Sequence, residues 1–109
     1  MPESGRGSGG LPADAVLERL RRLSGWTVDE GKLLKSYAFP NFVAGVRFID
    51  RVTITAEQQS HHPDLCITWG KVTVQLWSHD VGGITTRDFR LATALDVLYE
   101  SGNADSQEH

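Results

Sequence analysis

The sequence predicts an α+β domain: a four-stranded antiparallel sheet with helices packed on one face, in the order α-β-β-α-β-β-α. Three observations predict it. Apolar residues recur at helical spacing in three separate segments, at 15–23, 42–60 and 86–98. Between these segments lie two pairs of β-prone runs, each pair divided by a short glycine-bearing turn. Such hairpins bury one face and need helices to cover it.

Length and charge set the scale. A chain of 109 residues makes one small domain with a modest core. The net charge of −3, with both signs well mixed, gives no basic stripe, so direct nucleic-acid binding is not expected. No apolar run approaches the roughly 20 residues that span a bilayer, so no membrane association is expected. Residues 1–10 are glycine, serine and charge without the apolar stretch of a signal peptide, and are expected to be disordered. A single cysteine, Cys66, forms no intramolecular disulfide and suits a reducing, cytoplasmic setting.

The domain proper is expected over 11–100. Val16, Leu17, Leu20 and Leu23 form one stripe of the first helix, which Ser24-Gly25 ends. Trp26–Asp29 and Lys32–Phe39 flank Glu30-Gly31 as a hairpin, although Lys35 and Ser36 break strict alternation. Pro40-Asn41 marks the next boundary, with Asn41 as N-cap. Phe42, Val46, Ile49, Val52 and Ala56 then define the buried stripe of a long helix. The β-branched run Val52–Thr55 argues for a strand, but the unbroken 3.6 period outweighs it.

A second hairpin follows, with Leu65–Trp69 and Lys71–Trp77 around Gly70. Val72, Val74 and Leu76 point to the core, and Thr73, Gln75 and Trp77 away from it. Cys66 reads as a small core residue. Trp77 on the polar side marks either a ligand or subunit contact or a ring covered by a neighbouring strand. Thr85 and Asp88 form a near capping box for the last helix, whose stripe is Phe89, Ala92, Leu95 and Leu98. From 101 to 109 a polar, mobile tail is expected.

Chemistry concentrates at Glu57-Gln58-Gln59-Ser60-His61-His62-Pro63-Asp64. Pro63 forces His62 into extended backbone, so the helix stops and the two imidazoles leave in different directions. If the helix holds through His61, Glu57 lies four residues back on the same face and favours a protonated ring. The remaining internal histidine is His79, in the loop after the second hairpin. Imidazole titrates nearest neutrality, so the cluster suits proton transfer or metal binding, and surface histidines at a turn are the plain alternative. Adjacent histidines before a proline match none of the spacings that put two metal ligands on one face, so no metal or cofactor is expected. No Gly-x-Ser-x-Gly elbow marks a nucleophile, and Gly82-Gly83 is too short to cradle a phosphate. General acid–base catalysis on an organic substrate is left.

Together, Glu57-x-x-x-His61-His62-Pro63-Asp64, Trp69, His79, Gly83-Ile84-Thr85 and Asp88 resemble the pterin-4a-carbinolamine dehydratases. Gly25-Trp26 and Phe39-x-x-Phe42 join the match, which covers about residues 11–100. Ser78 departs from the threonine expected before the third histidine but keeps its hydroxyl. The resemblance implies a hydro-lyase that converts 4a-hydroxytetrahydropterin to quinonoid dihydropterin, serving aromatic amino acid hydroxylases, without metal or cofactor. It implies His61, His62, His79 and Asp88 as catalytic residues, with Glu57, Pro63, Trp26 and Ser78 in support or substrate binding, although for Trp26 packing under the first helix is the stronger expectation. It also implies a homodimer or homotetramer. A protein-binding role, as coactivator or carboxylase-assembly factor, is the alternative that the same family implies.

Overall fold

Punctuation in the chain decides where each element stops. The computed structural model describes residues 10–107, with elements in the expected order. These are α1 (Ala13–Leu20), β1 (Thr27–Asp29), β2 (Lys32–Ala38), α2 (Phe42–Gln59), β3 (Asp64–Thr68), β4 (Lys71–Leu76) and α3 (Thr86–Gln107). Residues 1–9 of the expected disordered segment lie outside the described residues. Glu30 and Gly31 both take positive φ, 51° and 78°, the left-handed pair that closes a two-residue hairpin with the right twist. Asn41 caps α2 by accepting from the Ala44 N–H at 2.9 Å. The last helix runs past residue 101, where the sequence suggests a tail, to Gln107.

All strand pairs are antiparallel, in the order β1-β2-β4-β3, so the two hairpins join through β2 and β4. Leu33 and Tyr37 of β2 and Val72, Val74 and Leu76 of β4 are buried on the helix-facing side. Val16, Phe48, Val52, Leu91, Ala92 and Leu95 come down from the helices to meet them. Lys35 breaks the alternation of β2 because it shares the inward face with Leu33 and Tyr37. Its ammonium is neutralised there by Asp96 of α3 at 2.8 Å. Asp96 also accepts from the Tyr37 hydroxyl at 2.6 Å and from the Trp26 indole N–H. Burial first, and then the Asp96 carboxylate, push the Tyr37 phenol far above its ordinary pKa.

The packing corrects three expectations. The buried stripe of α2 is Gly45, Phe48, Val52 and Ala56, while Phe42 and Val46 are exposed. Glycine does not score as apolar, yet it sets the face: a Cβ on Gly45 would stand 3.2 Å from Ile67 Cδ1 and 3.3 Å from Val72 Cγ2. The helix can therefore approach the sheet only along that side. Leu17 of α1 is exposed rather than part of the buried stripe. Cys66 is exposed on the side of β3 away from the helices, not in the core, because Leu65 and Ile67 take the inward positions.

Candidate active site

Helix α2 ends in a left-handed residue. Ser60 has φ 52° and ψ 40°, and the His61 N–H closes back on the Ala56 carbonyl at 3.1 Å. This reversal, followed by the extended backbone that Pro63 demands, separates the two histidines as expected. The His61 side chain turns into the protein and is 9 % exposed, whereas the His62 side chain is 66 % exposed. The reversal also corrects the carboxylate assignment. Glu57 pairs with His62, Oε2 to Nε2 at 2.6 Å, and not with His61. The helix ends before His61, so the i,i+4 geometry that would join Glu57 to it never forms.

His61 instead meets Asp88, with Nε2 and Oδ1 2.5 Å apart. Asp88 is fully buried at the first turn of α3. Its Oδ2 accepts from the Thr85 N–H and from the Ser78 hydroxyl, both at 2.9 Å. The Thr85 hydroxyl in turn accepts from the Arg87 N–H at 3.2 Å, which completes the capping box read from the sequence. Ser78 and Thr85 hydroxyls lie 2.7 Å apart, and donation from Thr85 to Ser78 leaves the Ser78 proton for Asp88. Every donor around this carboxylate therefore points at it, as an ionised acceptor requires. His61 Nε2–H is then fixed on Asp88, and Nδ1 is left without a protein partner among the described residues.

His79 arrives from the loop between β4 and α3. That loop is held closed by Ser78, whose N–H donates to the Gly83 carbonyl at 2.8 Å and whose carbonyl accepts from the Gly82 N–H at 2.9 Å. The His79 ring stacks on Trp77, with centroids 3.9 Å apart and planes at 26°. Trp77 is itself anchored by donating its indole N–H to Asp64 Oδ2 at 3.0 Å. Ser60, His61, His62, Trp77, His79 and Asp80 line one cleft of about 230 Å³. Asp80 at its rim is bound by Arg87 at 2.9 Å, and the guanidinium holds its carboxyl below the usual carboxylate range.

The fold thus brings His61, His62 and His79 to one cleft, with Asp88, Ser78 and Glu57 behind or beside them. It does not bring Trp26 there, since that ring is buried beside Tyr37 and Asp96. Pro63 is half-buried at the start of β3 and shapes the chain without lining the cleft. Asp80 was not among the predicted site residues, and Trp77 was expected only as a ligand or subunit contact or as a ring covered by a neighbouring strand. The signal for Trp77 was available, a large ring on the polar side of an alternating strand. Among the described residues, no group of three or more His, Cys, Asp or Glu side chains is arranged to hold a metal ion.

Comparison with known proteins decides the family. The family model described as pterin 4 alpha carbinolamine dehydratase matches residues 10–98. The chain belongs to the pterin 4 alpha carbinolamine dehydratase family. A Roseiflexus sp. protein that bears this enzyme's name provisionally is 44 % identical over 83 residues, 76 % of this chain and 89 % of the relative. One from Rubrobacter xylanophilus, named in the same provisional way, is 43 % identical over 94 residues, 83 % of this chain and 88 % of its own length. A crystal structure from Brucella melitensis, described as a transcriptional coactivator/pterin dehydratase, superposes with a TM-score of 0.79 at 28 % identity. That match covers 84 % of this chain and 99 % of the Brucella chain. A pterin dehydratase-like RuBisCO assembly factor of the alpha-carboxysome shares the fold, at TM-score 0.56 and 19 % identity over 68 % of this chain and 86 % of its own. The α-β-β-α-β-β-α order of this pterin dehydratase family member is as the sequence predicts.

Proposed function

We propose that this protein is a 4a-hydroxytetrahydropterin dehydratase working by histidine acid–base catalysis. The observation that carries the reading is the His61–Asp88 dyad opening on the same cleft as His62 and His79. In the reaction the C4a–O bond breaks and a ring N–H proton is lost, with the N–H electron pair forming the new C=N bond of the quinonoid dihydropterin. Hydroxide leaves poorly, so a proton must reach the departing oxygen, and water is released. His61 and His79 supply that acid function, His61 from Nδ1 of its doubly protonated ring, and Asp88 orients His61 by fixing its Nε2–H. His62, steadied by Glu57, binds the ring or accepts the N–H proton. Trp77 offers its plane, through His79, as a wall for a flat heterocycle. Each acid–base role contributes about 10²–10⁴ in rate. Dehydratase turnover of His61→Ala, His62→Ala and His79→Ala tests the proposal: losses of that size are expected, and near-wild-type rates in all three would overturn it.

The same reading makes the product a substrate for a reductase that restores the tetrahydropterin of aromatic amino acid hydroxylases, in the cytoplasm. It also includes assembly as a homodimer or homotetramer. The exposed Phe42, Val43 and Val46 of α2 and the edges β1 and β3, unpaired among the described residues, support that part, because a small domain gains by covering such surfaces.

A second reading, a protein-binding role without turnover, draws on the exposed Trp69 at the β3–β4 turn, 73 % accessible, and on the descriptions of the Brucella and carboxysome proteins. Turnover of the carbinolamine measured beside a pull-down separates the two. Stable protein clients with no turnover would favour the second.

A further inference from the structure

A larger concavity than the histidine cleft lies between α1 and the start of α3. Its volume is about 580 Å³, within the range of small-molecule sites. Four arginines line it, Arg19 from α1, Arg22 from the turn after α1, and Arg87 and Arg90 from α3, and among the described residues no acidic side chain does. This is a concentration of positive charge in a chain whose net charge is −3. Among the described residues, Arg19 and Arg90 pair with no carboxylate. Arg22 reaches only Glu18, at 4.0 Å, and that carboxylate already binds Arg21 at 3.3 Å. Arg87 gives one nitrogen to Asp80 and keeps its others.

Thr86 and Arg87 are the first residues of a helix 22 residues long and line the same space. The Asp88 carboxylate sits in that first turn and offsets the helix dipole, so the arginine side chains supply the positive charge of the groove. Phe89 gives the groove an apolar floor, with the Arg19 guanidinium 6.0 Å above its ring. Guanidinium groups match phosphate oxygens in a bidentate fork. Like charges gathered this closely repel one another, and a bound polyanion relieves that repulsion.

We propose that this groove binds a small molecule bearing a phosphate or pyrophosphate group, at a site separate from the histidine cleft. The apolar floor and the gathering of the arginines around one concavity favour a compact ligand over a nucleic-acid backbone, which needs a basic track along the surface. The proposal does not depend on the dehydratase reading.

The test uses inorganic pyrophosphate as probe, titrated into the full chain at constant ionic strength and followed by amide and arginine Nε–H NMR shifts. Saturable shifts at Arg19, Thr86 and Arg90 with a dissociation constant at or below about 1 mM are expected. Arg19→Gln combined with Arg90→Gln is expected to weaken binding at least tenfold, with the fold checked by circular dichroism. Arg21→Gln, outside the groove, serves as control and is expected to bind as the unchanged chain does. Shifts that sodium chloride reproduces, shifts centred on His61 and His79, or equal affinity in the double variant would each overturn the proposal. A short duplex DNA that binds more tightly than pyrophosphate over a wider surface would overturn it too.

Discussion

Replacing Asp88 by asparagine keeps the shape of the side chain and removes one acceptor from the centre of the site. The carboxylate receives three donors, His61 Nε2, Ser78 Oγ and the Thr85 N–H. An amide has one acceptor oxygen and one donor nitrogen. If the amide oxygen keeps Ser78 and Thr85, the NH₂ faces His61 and forces Nε2 to become an acceptor. His61 then carries its proton on Nδ1 and can no longer be held with both nitrogens protonated. If the amide turns the other way, the capping box and the Ser78 hydroxyl lose their acceptor. Either arrangement breaks a buried, charge-assisted bond worth about 1.5–3 kcal/mol. A domain with about 5–15 kcal/mol of stability survives that loss, so the variant is expected to fold with a lowered melting temperature. Catalysis is expected to suffer more, because wrong tautomers remove a general acid worth about 10²–10⁴ in rate. The assay is single-turnover dehydration of enzymatically generated 4a-hydroxytetrahydropterin, normalised to folded protein by circular dichroism. A rate within threefold of the unchanged chain would refute the orienting role of Asp88.

Other expectations concern the frame that holds the site. Asp96→Asn weakens the acceptor shared by Lys35, Tyr37 and Trp26, and is expected to cost about 2–3 kcal/mol in urea unfolding with turnover per folded molecule unchanged. Gly45→Leu drives a side chain into Ile67 and Val72, and a loss of about 1–3 kcal/mol is expected in the same experiment. The raised pKa of Tyr37 means that the folded state holds its phenolic proton longer than the unfolded chain does. Its contribution to stability is therefore intact below the ordinary tyrosine pKa of about 10 and fades as pH climbs above it. Absorbance at 295 nm is expected to show Tyr37 ionising only as the chain unfolds, and a reversible titration of both tyrosines in the folded state would contradict this. Arg87→Gln is expected to raise the titration midpoint of Asp80 toward its ordinary value, read by carboxyl-carbon NMR.

Element boundaries were legible because the chain marks them with residues of fixed stereochemistry. Asn41 caps, Glu30-Gly31 turns, and Pro63 forbids helix before it. The capping box of Thr85 and Asp88 was readable for the same reason. What could not be read were facts set by packing between distant segments. The buried side of α2 follows Gly45, whose missing side chain lets the sheet approach and leaves no hydrophobic signal. Asp96 gathers Trp26 from the loop before β1 and Lys35 and Tyr37 from β2, and nothing local to any of them announces it. At the site the histidines were visible as residue types, but their partners depended on one left-handed residue. Ser60 turns His61 toward Asp88, 27 positions away, and leaves Glu57 to His62.

In the proposed reaction three imidazoles act on one pterin ring. A crystal structure of the protein with a bound dihydropterin tests this most directly. The ring is expected in the cleft between His61 and the Trp77–His79 stack. Nitrogens of His61, His62 and His79 should then lie within hydrogen-bonding reach of the ring edge that carries C4a. A pterin bound elsewhere, or one touched by a single histidine, would contradict it.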